Sequence, residues 1–199
     1  MSSYPSQYDG NPRPRFQIPV RLIIAAVLAL VAVGGYWANR QTNQVTGKKQ
    51  SVSWTIDQEV ALGMNSAPRM AAEFGGETTD KKYRQMVEDV GARIVGSLPP
   101  EARNKDGTQV YPYAYHVLAD QKTVNAFALP GGQIFITEAL LKRLETEGQL
   151  AGVLGHETGH VLGRHSAAQA QKDQLLQGLV GATTVAASGG RDGGQTAQA

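Results

Sequence analysis

The most informative segment of the chain is residues 146–165, which read TEGQLAGVLGHETGHVLGRH. Thr146 and Gln149 have the spacing of a capping box, in which the two residues bond each other's backbone at the start of a helix. Apolar residues then recur at helical spacing, at positions 150, 153, 154, 161 and 162. The segment therefore predicts a helix that begins just after Thr146.

Within this helix, residues 156–160 form an HExxH motif. Residues four apart differ by about 40° around a helix axis and by one turn along it, so both imidazoles can bind one metal ion. Zinc accepts nitrogen ligands, and zinc with three protein ligands and a water is a hydrolytic centre. We therefore predict one zinc ion per chain, bound by His156 and His160, with Glu157 as the catalytic base that acts on water.

The other two histidines receive different interpretations. His165 follows His160 by five residues, whereas an HExxHxxGxxH triad would need six. If the helix continued unbroken, His165 would lie about 140° from His160 and miss the metal, so a structural or supporting role is favoured. His116 lies on a predicted strand and is interpreted as a partly buried structural histidine.

A third metal ligand is not identified by the sequence. No glutamate follows Glu157, Asp192 lies in a Gly-rich tail, and Asp173 would lie about 20 Å from His160 along a continuous helix. We expect an incomplete catalytic domain whose third ligand lies beyond the last residue, with Asp192 or His165 as alternatives. A purely structural zinc site would need four protein ligands, and no such set is evident.

The N-terminal region consists of a polar tail and one apolar segment. Residues 1–17 are rich in proline and poor in apolar residues, which predicts a disordered tail. Residues 18–38 are apolar and uncharged after Arg21, and twenty helical residues span about 30 Å, the thickness of a hydrocarbon core. A transmembrane anchor is favoured over a signal peptide cleaved near residues 32–34 and over a soluble core helix.

Basic residues flank both ends of the apolar segment, so charge alone does not orient it. A first apolar segment behind a short basic tail normally keeps its N-terminus inside. We therefore predict a single-pass membrane protein whose remaining domain is extracytoplasmic, on the periplasmic side. Residues 39–52 are predicted to be a polar linker, and residues 53–199 the catalytic domain.

The catalytic domain mixes helical and strand periodicities, which predicts an α+β fold with a small antiparallel sheet after the single transmembrane helix. A capping box at Thr55 opens one helix, which Pro68 should end or kink, and a second helix follows Asp80. The predicted strands cover residues 111–117, 124–129 and 133–136.

The composition excludes several other classes of protein. The chain has no cysteine, which excludes a disulfide scaffold, a thiolate zinc finger and a cysteine nucleophile. Its net charge is only +2 and its basic residues form isolated pairs, which argues against nucleic acid as a partner. The oligomeric state is not predicted.

Residues beyond HExxH carry a family resemblance. The segments NAFALPGG (125–132) and IFIT (134–137), followed by QLAGVLGHETGH (149–160), resemble the CAAX-prenyl-protease and HtpX-like zinc metalloendopeptidases. The resemblance implies a helical gluzincin-like domain that cleaves unfolded or membrane-associated polypeptides. It also implies that Glu157 serves as base and later as proton donor. The family's third zinc ligand is a glutamate on a later helix, for which this chain has no matching position.

The NAFALPGG segment also predicts where a substrate binds. Its two glycines permit a tight turn, and residues 133–136 are predicted as an edge strand beside the cleft, to which an extended peptide can add. An ordinary hairpin packed under the motif helix is the alternative, and for the whole chain a truncated, non-catalytic homologue that binds peptides or partners. The candidate substrate-binding residues are Asn125, Gly131, Gly132, Gln133 and Ile134.

Overall fold

The computed structural model describes residues 18–188, so the predicted tail at 1–17 and Asp192 lie outside the described residues. Short 3-10 turns at Pro100–Ala102 and Pro130–Gly132 lie between the main elements. In chain order the helices and strands are α1 (Val20–Ala38), β1 (Arg40–Thr42), β2 (Lys49–Ser51), α2 (Ile56–Glu73), α3 (Lys81–Gly96), β3 (Ala114–Leu118), β4 (Ala126–Ala128), β5 (Gln133–Thr137), α4 (Glu138–Leu141), α5 (Glu147–Leu162) and α6 (His165–Ala187).

Local capping signals in the sequence set the start of three helices. At α2 and at α5 the threonine hydroxyl accepts the backbone N–H of Gln58 and of Gln149, each at 3.2 Å. In return, the two glutamine side chains accept the backbone N–H of Thr55 and Thr146. At α3 the Asp80 carboxylate accepts two backbone N–H groups of the first turn. The predicted starts of these helices are confirmed.

Pro68 does not end α2, because the helix continues through it to Glu73, and a kink at this position stays a prediction. Proline removes the amide that would bond the carbonyl four residues earlier, which belongs to Met64. Pro68 is exposed and Met64 is 57% exposed, so water can solvate that carbonyl. The helix therefore does not end at Pro68.

The central sheet has three strands in the order β3-β5-β4. The β4–β5 pair is antiparallel, but β3 and β5 are parallel, so the prediction of an antiparallel sheet is wrong for one of the two pairings. The loop 119–125 carries the chain past the position of β5, and β5 then inserts between the two earlier strands. Local periodicity predicts strands but not this order, which is why the sequence did not reveal it.

Residues 39–52 form an antiparallel hairpin, β1–β2, and not the predicted linker. The Asn43 side chain donates to the carbonyl of Leu162, at the end of α5, over 2.8 Å. The Ser51 hydroxyl donates to the carbonyl of Tyr36 in α1. The hairpin therefore connects the apolar helix to the end of the helix that carries HExxH.

The main core lies between α3, the sheet and α5. Its buried apolar side chains come from one stripe of each helix and from one face of β5, which carries Ile134 and Ile136. Phe135, on the other face of β5, packs in a smaller cluster with Ala71 of α2 and Leu118. On α5 the buried positions include Leu150, Leu154 and Val161. This packing fixes α5 and leaves its histidine-bearing face toward the surface.

Candidate active site

The helix α5 is held by a polar contact as well as by its apolar stripe. Thr158, inside the HExxH motif, is buried, and its hydroxyl bonds the Leu154 carbonyl at 2.7 Å and the Tyr115 hydroxyl at 2.9 Å. Tyr115 belongs to β3, so this contact fixes the rotation of α5 against the sheet. The motif's histidines and glutamate consequently point away from the core.

The structure brings His156 and His160 together as predicted for a metal-binding pair. Their Nε2 atoms lie 3.0 Å apart, and the ring planes are nearly perpendicular, at 78°. Two nitrogens bound to one tetrahedral zinc at ordinary bond lengths would lie about 3.4 Å apart. The pair therefore suits a zinc ion with only a small movement of the side chains.

His165 contacts His160 on the side of the ring that faces away from His156. The Nδ1 atoms of the two residues are 2.8 Å apart. Burial, and to a smaller extent the neighbouring His160, lower the pKa of His165, which favours its neutral form. A partner on the outer nitrogen fixes the orientation of a metal-binding imidazole. This position fits the supporting role that the sequence favoured.

The reason for that contact differs from the sequence argument, which assumed an unbroken helix. In the structure α5 ends at Leu162 and α6 begins at His165. Arg164, between them, has a left-handed backbone with φ of 53°, the only positive φ of a non-glycine residue in the range 18–188. The break turns the chain and brings His165 back to His160.

A buried ion pair holds the break in place. The Arg164 guanidinium bonds Glu59 of α2 at 2.7 and 2.9 Å and also donates to the Trp54 carbonyl. The Tyr111 hydroxyl donates to the other carboxylate oxygen of Glu59 at 3.1 Å. The Glu59 side chain is 2% exposed and that of Arg164 is 12% exposed. This pair therefore fastens the end of the motif helix to α2.

The sequence did not reveal Glu59 or Arg164 as residues of the site region. Glu59 lies in the first turn of α2, where an acidic residue is commonly solvent-exposed and interacts with the helix dipole. The available signal was Arg164 itself, a long charged residue directly after the apolar end of the motif helix. A buried arginine needs a carboxylate partner, but the sequence does not say which one.

Glu157 lies beside β4, at one side of an open groove of about 610 Å³. Burial raises the pKa of Glu157 above its ordinary value, while His160, His156 and the backbone amide of Ala128 act in the opposite direction. A carboxylate with a raised pKa is a stronger base. The groove is lined by Val124, Asn125, Ala126, Leu140, Arg143, Leu144, Gln149, Gly152, Val153, His156 and Glu157.

The open strand beside this groove is β4, which corrects the prediction for residues 133–136. These residues belong to β5, which pairs on both sides and has no free edge. The Leu129 amide bonds the Gln133 carbonyl and the Thr137 amide bonds the Asn125 carbonyl, both toward β5. By the alternation of an antiparallel ladder, the backbone groups of Ala126 and Ala128 point the other way.

The candidate substrate-binding residues are therefore separated by the structure. Asn125 lines the groove, whereas Gly131, Gly132, Gln133 and Ile134 are buried. Gly131 packs on the first turn of α2, and the Gln133 side chain contacts His116. Four of the five residues thus hold the turn and the central strand in place and are not available to a peptide.

The remaining polar candidates do not join the histidine pair. Within residues 18–188, no group of three His, Asp or Glu side chains converges in a way that could hold a metal ion. Asp173 accepts a bond from Gln169 on an exposed face of α6. His116 stacks on Phe135 and bonds Glu77 at 2.7 Å and Gln133 at 2.9 Å, in keeping with its interpretation as a structural residue.

Comparison with known proteins places the chain among metallopeptidases. The family model described as Peptidase family M48 matches residues 84–198, more than half of the chain. Several relatives are mitochondrial metalloendopeptidases named OMA1. The one from Bos taurus is 40% identical over 165 residues (82% of this chain and 31% of that protein). The one from Schizosaccharomyces pombe is 29% identical over 143 residues (70% and 40%).

A third relative comes from a bacterium. The beta-barrel assembly-enhancing protease of Yersinia pestis is 32% identical over 133 residues, which is 67% of this chain and 25% of that protein. Across these three relatives, the region matched by this chain spans between 25% and 40% of the relative's length. The similarity thus covers most of this chain but a minority of each relative.

Proposed function

This chain belongs to peptidase family M48, and on that premise we propose that it is a membrane-anchored, zinc-dependent metalloendopeptidase. The observation that carries the proposal is the pair of Nε2 atoms of His156 and His160, which lie 3.0 Å apart on a helix fixed by the core. Glu157 lies next to this pair and borders the groove beside β4. These residues supply two zinc ligands and a general base for hydrolysis of a peptide bond.

In the proposed mechanism, His156 and His160 would hold the zinc ion, and His165 would keep the His160 ring in position. A zinc ion held there would supply Lewis acidity toward the scissile carbonyl and water. Glu157 accepts the proton of the attacking water and then delivers it to the leaving amine nitrogen.

The substrate is proposed to bind as an extended strand along β4. The outward-facing backbone groups of Ala126 and Ala128 can pair with such a strand, and Glu157 lies close to the Ala128 amide. A peptide added at this edge would run through the groove that Glu157 and His156 line. We propose unfolded or membrane-associated polypeptides as substrates, by analogy with the family.

The membrane part of the proposal rests on α1. This helix is long and apolar enough to cross a membrane, and only 6% of its apolar window is buried. It also packs along α6 and leads directly into the β1–β2 hairpin that contacts α5. That integration favours a retained anchor over a cleaved signal peptide. We propose a single pass with the catalytic side outside the cytoplasm.

Glu157→Gln in the full-length protein tests the catalytic role. The amide has nearly the same size but cannot accept the proton, so casein hydrolysis should fall by about 10²–10⁴-fold while bound zinc stays at one ion per chain. Glu145→Gln, at an exposed glutamate before α5, is the matched control and should leave both unchanged. Full turnover by the Glu157 variant would refute the proposed base.

A non-catalytic role as a peptide-binding module is the second candidate. It is favoured by the lack of a third converging metal-binding side chain within residues 18–188. Zinc titration of the purified chain, measured together with casein hydrolysis, separates the two functions. Tight one-to-one binding with hydrolysis supports the enzyme. Peptide binding without zinc or turnover supports the module.

A further inference from the structure

The last helix, α6, pairs with the apolar helix α1 along matching stripes. In each helix the less exposed residues follow an alternating spacing of four and three, which is the pattern of a helix–helix seam. The pairing is close, because a Cβ built on Gly178 would lie 2.7 Å from the Cβ of Ala32. The stripes are Ala25, Ala29, Ala32, Tyr36 and Asn39 in α1, and Gln171, Leu175, Gly178, Ala182 and Val185 in α6.

The two helices run antiparallel, and their charged residues stop at the same level. Asn39, at the end of α1, and Gln171, near the start of α6, line one groove. Between Arg21 and Arg40 the chain carries no charge, and α6 carries none after Asp173. The uncharged stretches of both helices therefore end at one common boundary, where Arg40 follows α1 and Asp173 precedes the uncharged part of α6.

Beyond this boundary, most of the exposed side chains of the helix pair are apolar. On α1 the exposed side chains include Ile23, Val27 and Leu30, which is 71% exposed. On α6 they include Leu176 and Val180, which are 58% and 63% exposed. Apolar side chains that cover both helices on the same side of a charge boundary form a surface for hydrocarbon, not for water.

The polar side chains in this part of α6 are compatible with such an environment. The Thr183 and Thr184 hydroxyls both donate to the Val180 carbonyl, at 2.8 and 2.9 Å. A hydroxyl that bonds its own helix backbone leaves no donor to be solvated. Gln174 and Gln177 are both exposed and lie within one helical turn of the boundary, where an amide can reach the lipid headgroups.

We propose that α6 from Gln174 to Ala187 inserts into the lipid hydrocarbon beside α1, as the second arm of a membrane-embedded helical hairpin. This segment spans about 21 Å, less than the hydrocarbon core of about 30 Å, so it enters the bilayer without having to cross it. The proposal rests on the proposed anchoring role of α1. It goes further, because α6 begins at His165, beside the proposed metal centre.

The hairpin fixes the height of that centre above the membrane. His165 precedes Gln174 by nine residues on one helix, a distance of about 14 Å along its axis. Since His165 contacts His160, the proposed metal centre lies close to the lipid surface. The nearest peptide bonds within its reach lie about four or five extended residues outside a membrane-spanning segment of the substrate.

Cysteine labelling tests this proposal directly, because the natural chain has no cysteine. Single variants Leu176→Cys, Val180→Cys, Leu30→Cys and Gln169→Cys place thiols at exposed positions of the two helices. The full chain is reconstituted in vesicles of phosphatidylethanolamine and phosphatidylglycerol and treated with a charged, membrane-impermeant maleimide. Labelling after SDS denaturation gives the total reactive thiol of each variant.

We expect Gln169→Cys, on the charged part of α6, to react, and the other three variants to react at least tenfold more slowly. If Leu176→Cys and Val180→Cys react as fast as Gln169→Cys while Leu30→Cys is protected, α6 lies outside the bilayer. That result would overturn the hairpin and leave the proposed anchoring role of α1 intact. If Leu30→Cys also reacts fast, the anchoring role of α1 fails, and the hairpin fails with it.

Discussion

Gly131 shows at the scale of one residue how the turn before β5 is held. Its φ is +79°, and an added Cβ would lie 2.3 Å from the Cα of Val60. Gly131→Ala should therefore cost the left-handed strain of about 1–2 kcal/mol and a further overpacking cost of about 1–3 kcal/mol. The free energy of unfolding in urea, followed by circular dichroism in detergent micelles, measures the loss.

Gly107→Ala is the matched control for Gly131→Ala. Gly107 has a similar φ of +83°, but nothing lies within 4 Å of its added Cβ, so only the backbone strain applies. The variant at Gly131 should be the less stable of the two. If both variants lose the same free energy of unfolding, the close contact between Gly131 and α2 contributes nothing to the loss.

The sequence predicted the positions of some site residues but not the contacts of others. The spacing of His156 and His160 is enough to place both rings together, because helix geometry is local. The glycine pair at 131–132 predicted a turn, but its packing on α2 joins residues about 70 apart in the chain, and no local pattern encodes that. His165 was assigned a supporting role on the assumption of a continuous helix, whereas the structure places it by a break in the chain.

Among the helices, the pair Glu59–Arg164 connects α2 to the junction of α5 and α6. Arg164→Met would leave a buried carboxylate without its cation, and such losses are about 3–5 kcal/mol. Urea unfolding in detergent should show this decrease, and the double variant Glu59→Met with Arg164→Met should recover part of it. The exposed pair Arg93–Glu147 provides the control, since Arg93→Met should cost about 1 kcal/mol or less.

Two outcomes would contradict that prediction. If Arg164→Met lowers the free energy of unfolding no more than Arg93→Met does, water or another group compensates the charge of Glu59. If the double variant is less stable than Arg164→Met, Glu59 is needed for another contact. The bond that Glu59 accepts from Tyr111 is such a contact.

Helix starts were predictable from the sequence, whereas the sheet was not. The capping boxes at Thr55 and Thr146 involve residues three apart, and both form as predicted. The strand order β3-β5-β4 depends on which segments meet after the chain reverses. The polar composition of residues 39–52 predicted a linker, but the Asn43 side chain accepts two backbone N–H groups in the turn of a hairpin. Its amide also bonds the Leu162 carbonyl, more than 100 residues later, which attaches the hairpin to α5.

At the scale of the whole molecule, the common charge boundary of α1 and α6 relates the proposed metal centre to a membrane. The uncharged run of α1 stands out in the sequence, whereas that of α6 is shorter and contains glutamine and threonine. By composition alone, only α1 passes as a membrane span among residues 18–188. The role proposed for α6 follows only from its packing along α1 in the structure.

The proposed height of the metal centre predicts how cleavage depends on distance from the membrane. In a substrate with one membrane-spanning helix followed by an extended segment, each residue of that segment adds about 3.3 Å to the distance from the membrane. About four or five residues therefore bring the scissile bond to the height of about 14 Å proposed for the metal centre. Substrates whose scissile bond lies closer than this should resist cleavage in vesicles. Beyond it, the rate should peak and then fall as the linker lengthens, because the effective concentration decreases. The same substrates in detergent provide the control, since the membrane no longer sets the distance. Rates in vesicles that do not depend on linker length would contradict a membrane-fixed height.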